Sequence, residues 1–387
     1  MQNFAYSIPT RIHFGKGKIV SLGAEVFSLG SRVLLVYGGG SIKKTGLYDT
    51  VLQILNGNQA HVAELSGVQP NPRIESVREG AAICKEQKIE VVLAVGGGSV
   101  IDCAKVIAAG ALYEGDAWDL VTNPDNIKAA LPVVSVLTLA ATGSEMDAFA
   151  VISNLQTNEK LGTGSDLLKP RASILDPEYT YSVSKKQTAA GTADIMSHIF
   201  ENYFNHEKGA YIQARFCESL LRTCIQYGKI ALETPNDYEA RANLMWASSL
   251  AINGMCSYGA PVEWEVHPME HELSAFYDIT HGEGLAILTP NWMQYTLSEK
   301  TVFKFVEYGV NVWGIDSALE PFAIAKQAIQ KTREFFDSLG LPSTLRQVGI
   351  DESKLDVMAK KAVGDGITDG FIPLYAKDVK KIYQMSL

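Results

Sequence analysis

Short apolar runs rich in β-branched residues alternate with helical patterns over the first half of the chain. Continuous runs of this kind are typical of parallel strands that are buried on both faces. The intervening segment Val77–Lys88 has helical periodicity and predicts a crossover helix. The pattern therefore predicts an α/β fold, a parallel sheet with helices on both faces. Its predicted strands are Arg32–Tyr37, His61–Leu65, Glu90–Val95, Val133–Leu139 and Arg171–Asp176.

The pattern changes near residue 180, after which helical periodicity dominates and few strand-like runs occur. A chain of 387 residues is also long enough for two domains. We therefore expect an α/β domain over residues 1–180 and an all-helical domain over residues 181–387. The predicted helices of the second half are Lys185–Phe204, Tyr211–Leu232, Tyr238–Asn253, Glu283–Tyr295, Phe322–Leu339 and Asp378–Met385.

Composition excludes several classes of partner. The net charge of −9 and the lack of a basic cluster argue against nucleic acid, and no apolar run reaches the ~20 residues of a membrane span. The five cysteines form no C-x-x-C motif, and the N-terminus has no apolar signal region. These features predict a cytoplasmic protein with reduced thiols.

Glycine-rich turns follow two of the predicted strands, at Gly38–Ser41 and Gly96–Ser99, and Thr142–Ser144 follows a third. None matches G-x-G-x-x-G, but a glycine turn ahead of a helix still lets backbone N–H groups approach phosphate oxygens. One such turn is often a plain tight turn. Two turns, with threonines at the same sheet edge, favour a nucleotide site. Asp102, just after the second turn, could hold a ribose or nicotinamide group or cap the helix.

Candidate metal ligands lie in two segments of the helical half. Asp194 and His198 are four residues apart in GTADIMSHIFE and share a helix face, although a buried histidine bonded to an aspartate would give the same pattern. His267, His271 and His281 bring three of the seven histidines into fifteen residues. A carboxylate with three imidazoles suits Fe(II) or Zn(II) with an open coordination position. The spacing favours a metal site.

The segment HPMEH also matches H-x-x-E-H, a zinc-peptidase signature. In that interpretation His267 and His271 bind zinc and Glu270 acts as the general base. Pro268 is tolerated only in the first helical turn, which places His267 at the start of a helix. The peptidase alternative also leaves the glycine turns unexplained.

Motifs along nearly the whole chain resemble the iron-containing (group III) alcohol dehydrogenases, most closely their butanol dehydrogenase branch. The similar blocks, in order, include YGGGSIKKTG, GVQPNPR, AVGGGSVIDCAK, TLAATGSEM, AAGTADIMSHIFE and HPMEHELSAFYDITHG. The resemblance implies a dinucleotide-binding α/β domain before an all-helical metal-binding domain. It also implies reversible interconversion of a primary alcohol and an aldehyde by hydride transfer.

The resemblance further implies roles for individual residues. Its metal ligands fall on Asp194, His198, His267 and His281, for Fe(II) with Zn(II) as the alternative. His271 is similar to a histidine that faces the catalytic site without ligating, and could relay a proton. A homodimer or higher homo-oligomer is implied as well. The implied cofactor-binding residues are Gly38, Gly39, Gly40, Ser41, Asn71, Gly97, Gly98, Ser99, Asp102, Thr138, Thr142, Lys160 and Leu175.

Two departures from the family pattern concern the cofactor. Many members have a second threonine directly after the one at Thr138, whereas this chain has Leu139, so one hydrogen bond to the cofactor is in doubt. NAD-preferring members often carry an acidic residue just after the first long strand, where this chain has Gly38. A carboxylate there would repel a 2′-phosphate, and Ser41, Lys43 and Lys44 could add donors. We therefore expect NADP(H) to be favoured over NAD(H).

Two alternatives to a simple alcohol or aldehyde substrate remain open. One is a dehydrogenase of the same family that acts on a polyol or hydroxy acid, and the other is a nucleotide-binding protein without catalysis. Phe149, Tyr258 and Trp264 indicate an apolar site, which favours a small alcohol. The intact set of candidate ligands argues against the non-catalytic alternative.

Overall fold

The computed structural model describes residues 1–261 and 263–387. These divide into two compact units. An α/β unit spans Ser7–Val183, and a helical unit combines Ser184–Leu387 with the N-terminal segment Met1–Tyr6. This is the fold class that the hydrophobic pattern and the family resemblance predicted.

The N-terminal segment, which the sequence analysis assigned to the α/β domain, packs on the helical unit instead. The α-amino group of Met1 bonds Glu207 at 2.8 Å, and the Gln2 N–H donates to the carbonyl of Gly259 at 2.9 Å. Each of these contacts joins two residues that are far apart in the sequence, so the local hydrophobic pattern does not indicate them.

Within residues 7–183, all of them described, six parallel strands form one sheet in the order β1-β8-β5-β4-β2-β3, and β6 and β7 form an antiparallel pair. The prediction of a parallel sheet is confirmed. The β6–β7 pair was not predicted because its sequences, FAVISN and EKLGTG, lack a long apolar run. The strands are Arg11–Phe14 (β1), Arg32–Tyr37 (β2), His61–Leu65 (β3), Val91–Gly96 (β4), Val133–Leu137 (β5), Phe149–Asn154 (β6), Glu159–Gly164 (β7) and Ala172–Leu175 (β8).

Helices cover both faces of this sheet. Alternate residues of a strand point to opposite faces, so Val33 and Leu35 pack with α1 and α3, while α4 and α5 pack against the other face. Burial on both sides explains the continuous apolar character of β2 and β4. The helices of this unit are Leu22–Phe27 (α1), Ser41–Lys44 (α2), Leu47–Gly57 (α3), Ile74–Gln87 (α4), Gly98–Gly110 (α5) and Ala117–Thr122 (α6).

The helical unit is built around α7, which is buried along almost its full length and packs against α8, α9 and α11. None of the described helices is both long and apolar enough to cross a bilayer. The helices of this unit are Lys185–Tyr203 (α7), Tyr211–Glu233 (α8), Tyr238–Ile252 (α9), Val266–Tyr277 (α10), His281–Thr296 (α11), Val302–Trp313 (α12), Pro321–Ser338 (α13), Leu355–Val363 (α14) and Ala376–Met385 (α15).

Candidate active site

The glycine turns lie at the carboxyl edge of the sheet, where the strand order changes direction. From β2 the chain runs outward to β3, whereas from β4 it continues the opposite way through β5 and β8. β2 and β4 are neighbours, with Tyr37 opposite Val95, so Gly38–Ser41 and Gly97–Ser99 emerge side by side. In open α/β sheets, ligands bind at such a switch point.

Close packing requires glycine at the second turn. A Cβ atom on Gly98 would lie 2.2 Å from Thr142 Oγ1, so the Thr142 side chain packs directly against the backbone at the start of α5. The loop is also anchored to β4, because the Thr138 N–H donates to the carbonyl of Gly96 at 3.0 Å. In the first turn, Gly40 has a φ of 98°, which favours glycine. The structure thus brings the three predicted loops to one edge.

The other predicted cofactor residues lie around the same edge. Asn71 is in the loop after β3 with a φ of 52°, and Leu175 is the last residue of β8. Lys160 lies on β7 opposite Ser153, whose N–H donates to the carbonyl of Pro72 at 2.8 Å. The β6–β7 pair is therefore fixed to the Asn71 loop.

Asp102 has a contact that the sequence did not indicate. It does not cap α5, since its Oδ1 accepts from Ser144 Oγ at 2.5 Å and its Oδ2 from the Val151 N–H at 2.9 Å. Burial raises its pKa to about 6. The carboxylate joins α5 to the 142–144 loop and to β6, and its place among the cofactor residues stays a prediction.

The candidate metal ligands come from three helices of the helical unit. Asp194 and His198 lie one turn apart on α7, and His267 is the second residue of α10. His281 is the first residue of α11. Pro268 lies in the first turn of α10, as expected for a proline inside a helical segment.

Three imidazoles face one oxygen of Asp194. Its Oδ1 lies 3.6 Å from His198 Nδ1, 3.6 Å from His281 Nε2 and 4.0 Å from His267 Nε2. The group in which every pair of ligand atoms lies within 4.8 Å is Asp194, His267 and His281. His198 is not part of this group but is next to it, because its ring centroid lies 4.6 Å from that of His267.

This arrangement fits a divalent metal. Two ligands of a tetrahedral metal, each at about 2.1 Å, are about 3.4 Å apart, close to the separations found here. His198 Nδ1 and His267 Nε2 are buried and have no hydrogen-bond partner among the described residues. Buried polar atoms are normally bonded, so two nitrogens directed at one carboxylate oxygen leave a place for a cation.

The pKa values of the two buried histidines, His198 and His267, are shifted in opposite directions. Burial, together with the neighbouring His267 and His281, lowers the pKa of His198 well below its usual value and favours the neutral, ligating form. Burial also acts to lower the pKa of His267, but the charge and hydrogen bond of Glu201 outweigh it, and the pKa is raised.

Sequence reasoning missed Glu201, which contacts His267 Nδ1. A signal was present, because Glu201 lies seven residues after Asp194 and three after His198, on the same face of α7. Glu270, which the sequence analysis considered as a peptidase base, contacts His281 Nδ1 and Ser274 Oγ.

His271 is not in the Asp194 group. It lies with Glu270 and His281, where the ligand atoms of all three are within 4.8 Å of one another, and it is half-buried. Its ring centroid is 6.3 Å from that of His267. The separation of the two histidines, and the contacts of Glu270, count against the peptidase alternative.

Of the three aromatic residues expected near the substrate, Trp264 is the one that contacts candidate ligands among the described residues. Its ring centroid lies 4.7 Å from His267 and 5.5 Å from His198. Tyr258 instead stacks on Phe4 at 5.8 Å. An indole beside the imidazoles makes this side of the site apolar.

Comparison with known proteins agrees with these features. Residues 9–177 match the family model described as iron-containing alcohol dehydrogenase, and residues 188–387 match that of the Fe-containing alcohol dehydrogenase family, C-terminal. The NADH-dependent butanol dehydrogenase A of Clostridium acetobutylicum is 60% identical over 100% of both chains. The NADPH-dependent aldehyde reductase YqhD of Escherichia coli is 42% identical over 95% of both. The crystal structure of NADH-dependent butanol dehydrogenase A from Thermotoga maritima superposes with a TM-score of 0.95, at 40% identity, covering 100% of this chain and 99% of the other.

Proposed function

Since the chain belongs to the iron-containing alcohol dehydrogenase family, in its butanol dehydrogenase branch, we propose that it interconverts a primary alcohol and an aldehyde reversibly with an NAD(P)(H) cofactor. The observation that carries this proposal is the convergence of three imidazole nitrogens on Asp194 Oδ1. The homo-oligomer and the cytoplasmic location stay predictions.

Asp194, His198, His267 and His281 would hold the metal, and the family supports iron rather than zinc. A divalent iron bound there supplies Lewis acidity toward an alcohol or carbonyl oxygen. The chain itself contributes a buried carboxylate and the buried imidazoles of His198 and His267, with Trp264 as an apolar wall beside them.

The edge formed by Gly38–Ser41, Gly97–Ser99 and the 138–144 loop would hold the dinucleotide. The nicotinamide cofactor supplies the hydride acceptor or donor. The backbone N–H groups at the start of α5 can bind a phosphate, because Gly97 and Gly98 leave no side chain in the way.

The experiment that tests this function is elemental analysis of the purified protein combined with reduction of butanal by each cofactor. We expect about one iron per chain and turnover with butanal that a chelator removes. Glycerol and 2-hydroxy acids in the same assay test the polyol and hydroxy-acid alternatives. Iron-free protein with full turnover would contradict the metal assignment.

For the cofactor we propose NADP(H), supported by the lack of a carboxylate at Gly38–Gly40. The relatives differ, since the 60% identical enzyme is named NADH-dependent and the 42% identical one NADPH-dependent. Lys43 supports the NADP(H) preference less than expected, because its Nζ lies over two aromatic rings. It is 5.0 Å from the ring centroid of Tyr37 and 4.5 Å from that of Tyr48.

Gly39→Asp is expected to lower kcat/KM with NADPH about tenfold relative to NADH, a difference of about 1.4 kcal/mol. A carboxylate at this turn would repel the 2′-phosphate. Gly39 can accept a side chain because a Cβ there meets no atom within 4 Å, whereas one on Gly38 would lie 3.2 Å from the carbonyl of Val68. Gly39→Asn, of equal size without the charge, is the control. If Asp and Asn change the cofactor ratio equally, the turn does not contact the 2′ position.

His271→Ala is expected to keep its metal and to lose about 100-fold in kcat, the usual range for a lost proton relay. The half-buried ring lies beside His281 without joining the Asp194 group, so it can exchange protons with solvent. Metal content and kcat of this variant are compared with those of His61→Ala, which changes an exposed histidine. Loss of metal from His271→Ala would place His271 among the ligands.

A further inference from the structure

Two buried glutamates contact the Nδ1 atoms of two of the proposed metal-binding histidines. Glu201 Oε2 contacts His267 Nδ1, and Glu270 Oε2 contacts His281 Nδ1. Glu201 is 4% exposed and Glu270 is fully buried. An ionised carboxylate only accepts hydrogen bonds, so each ring must carry its proton on Nδ1. In the neutral ring the lone pair is then on Nε2, the atom that faces Asp194 in both histidines.

We infer that Glu201 and Glu270 are positioning residues that fix the tautomer and ring direction of two metal-binding histidines. The inference rests on the metal site proposed above and assigns functions to residues outside its ligand set. Partners of this kind make the imidazole more basic and hold it ready for the metal.

The same two carboxylates join the three helices that carry the ligands. Glu201 belongs to α7, and its Oε1 accepts from the N–H groups of Glu265 at 2.6 Å and Val266 at 2.5 Å, at the start of α10. An anion is favourable at a helix N-terminus. Glu270, on α10, in turn reaches His281 at the start of α11. Glu201 therefore fixes a histidine ring and the start of α10, whereas Glu270 ties α10 to the His281 ring at the start of α11.

The two positions differ in how well a glutamine can replace the glutamate. Both oxygens of Glu201 face N–H donors, and a backbone N–H cannot become an acceptor. In Glu201→Gln the amide oxygen would keep accepting from the backbone N–H groups of Glu265 and Val266, and the NH₂ group would face His267 Nδ1. That contact favours the tautomer with the proton on Nε2, where a metal would bind.

Residue 270 can accept a glutamine more easily than residue 201, because Oε1 of Glu270 accepts from the hydroxyl of Ser274. A hydroxyl can donate or accept. In Glu270→Gln the amide can therefore turn its oxygen toward His281 and its NH₂ toward Ser274, which keeps the original tautomer. The inference thus predicts a larger effect at residue 201 than at residue 270.

The test measures Co²⁺ binding to chelator-treated full-length protein by competition with a chromophoric chelator, together with the visible spectrum of the bound cobalt. Glu201→Gln is expected to weaken binding about 10- to 100-fold and to change the spectrum. Glu270→Gln should weaken it less. The matched control is Glu265→Gln, which should bind cobalt like the wild type. Glu265 is 2% exposed and accepts from Trp292 Nε1 at 2.5 Å and from the Ile372 N–H at 3.0 Å.

Each other outcome is decisive. Wild-type affinity and spectrum in Glu201→Gln would overturn the inference. A loss of affinity in Glu265→Gln as large as that in Glu201→Gln would also overturn it, because it would indicate general destabilisation. If Glu201→Gln does not fold, Glu270→Leu replaces it, because a leucine cannot accept from His281 Nδ1. Cobalt affinity in Glu270→Leu equal to that in Glu265→Gln would overturn the inference. A wild-type protein that binds no cobalt would instead contradict the proposed metal site and the inference with it.

Discussion

Replacing Asp194 with asparagine is expected to remove metal binding and to lower turnover by about 1,000-fold or more. The three imidazoles face Oδ1 of this residue, and it is the one proposed ligand with a negative charge. Asparagine has nearly the same shape but a neutral amide, so the helix should stay intact while the cation loses its anionic ligand. A metal acting as a Lewis acid contributes several kcal/mol to catalysis, and each 1.4 kcal/mol is about tenfold in rate.

Metal content per chain and kcat/KM with butanal measure this effect. Asp316→Asn is the control, because the Ala318 N–H that donates to Asp316 Oδ1 at 2.9 Å can equally donate to an asparagine oxygen. Unchanged metal content in Asp194→Asn would show that this carboxylate is not a ligand. Unchanged turnover with lost metal would show that the metal is not required for catalysis.

Buried strands were predictable because their signal is local. Arg32–Tyr37 follows its apolar run because burial on both faces leaves no polar position between Val33 and Val36. His61–Leu65 is an edge strand, where Glu64 is exposed between the buried Ala63 and Leu65. Val302–Trp313 was missed because VFKFVEYGVNVW is rich in β-branched and aromatic residues, which favour strands. It is helical because packing against α8 and α13 outweighs that local preference.

The site was predictable only in part, for a physical reason. Helical spacing puts Asp194 and His198 on one face and allows the same for His267 and His271. It does not determine which histidine of the second pair faces the first pair, because that depends on how α10 packs against α7. Family resemblance supplied that choice. The contact between Glu270 and His281 depends on two helices meeting, so spacing alone could not indicate it.

Gly282→Ala is expected to destabilise the helical unit and to weaken metal binding together. A Cβ at residue 282 would lie 2.0 Å from the carbonyl oxygen of Ala190, which is backbone and cannot rotate away. The start of α11 must therefore move from α7. Overpacking of this kind costs about 1–3 kcal/mol. Because His281 precedes Gly282 and Ala190 lies one turn before Asp194, the same movement separates His281 Nε2 from Asp194 Oδ1, now 3.6 Å apart.

Urea unfolding followed by circular dichroism gives the loss of stability, and cobalt competition gives the loss of affinity. Gly57→Ala is the control, since a Cβ at the end of α3 meets no atom within 4 Å and alanine favours a helix by up to about 1 kcal/mol. A Gly282→Ala protein that is less stable but binds cobalt like the wild type would show that α11 can shift without moving His281. Reduced affinity alongside reduced stability would instead show that close backbone packing of α7 and α11 sets the distance between two ligands.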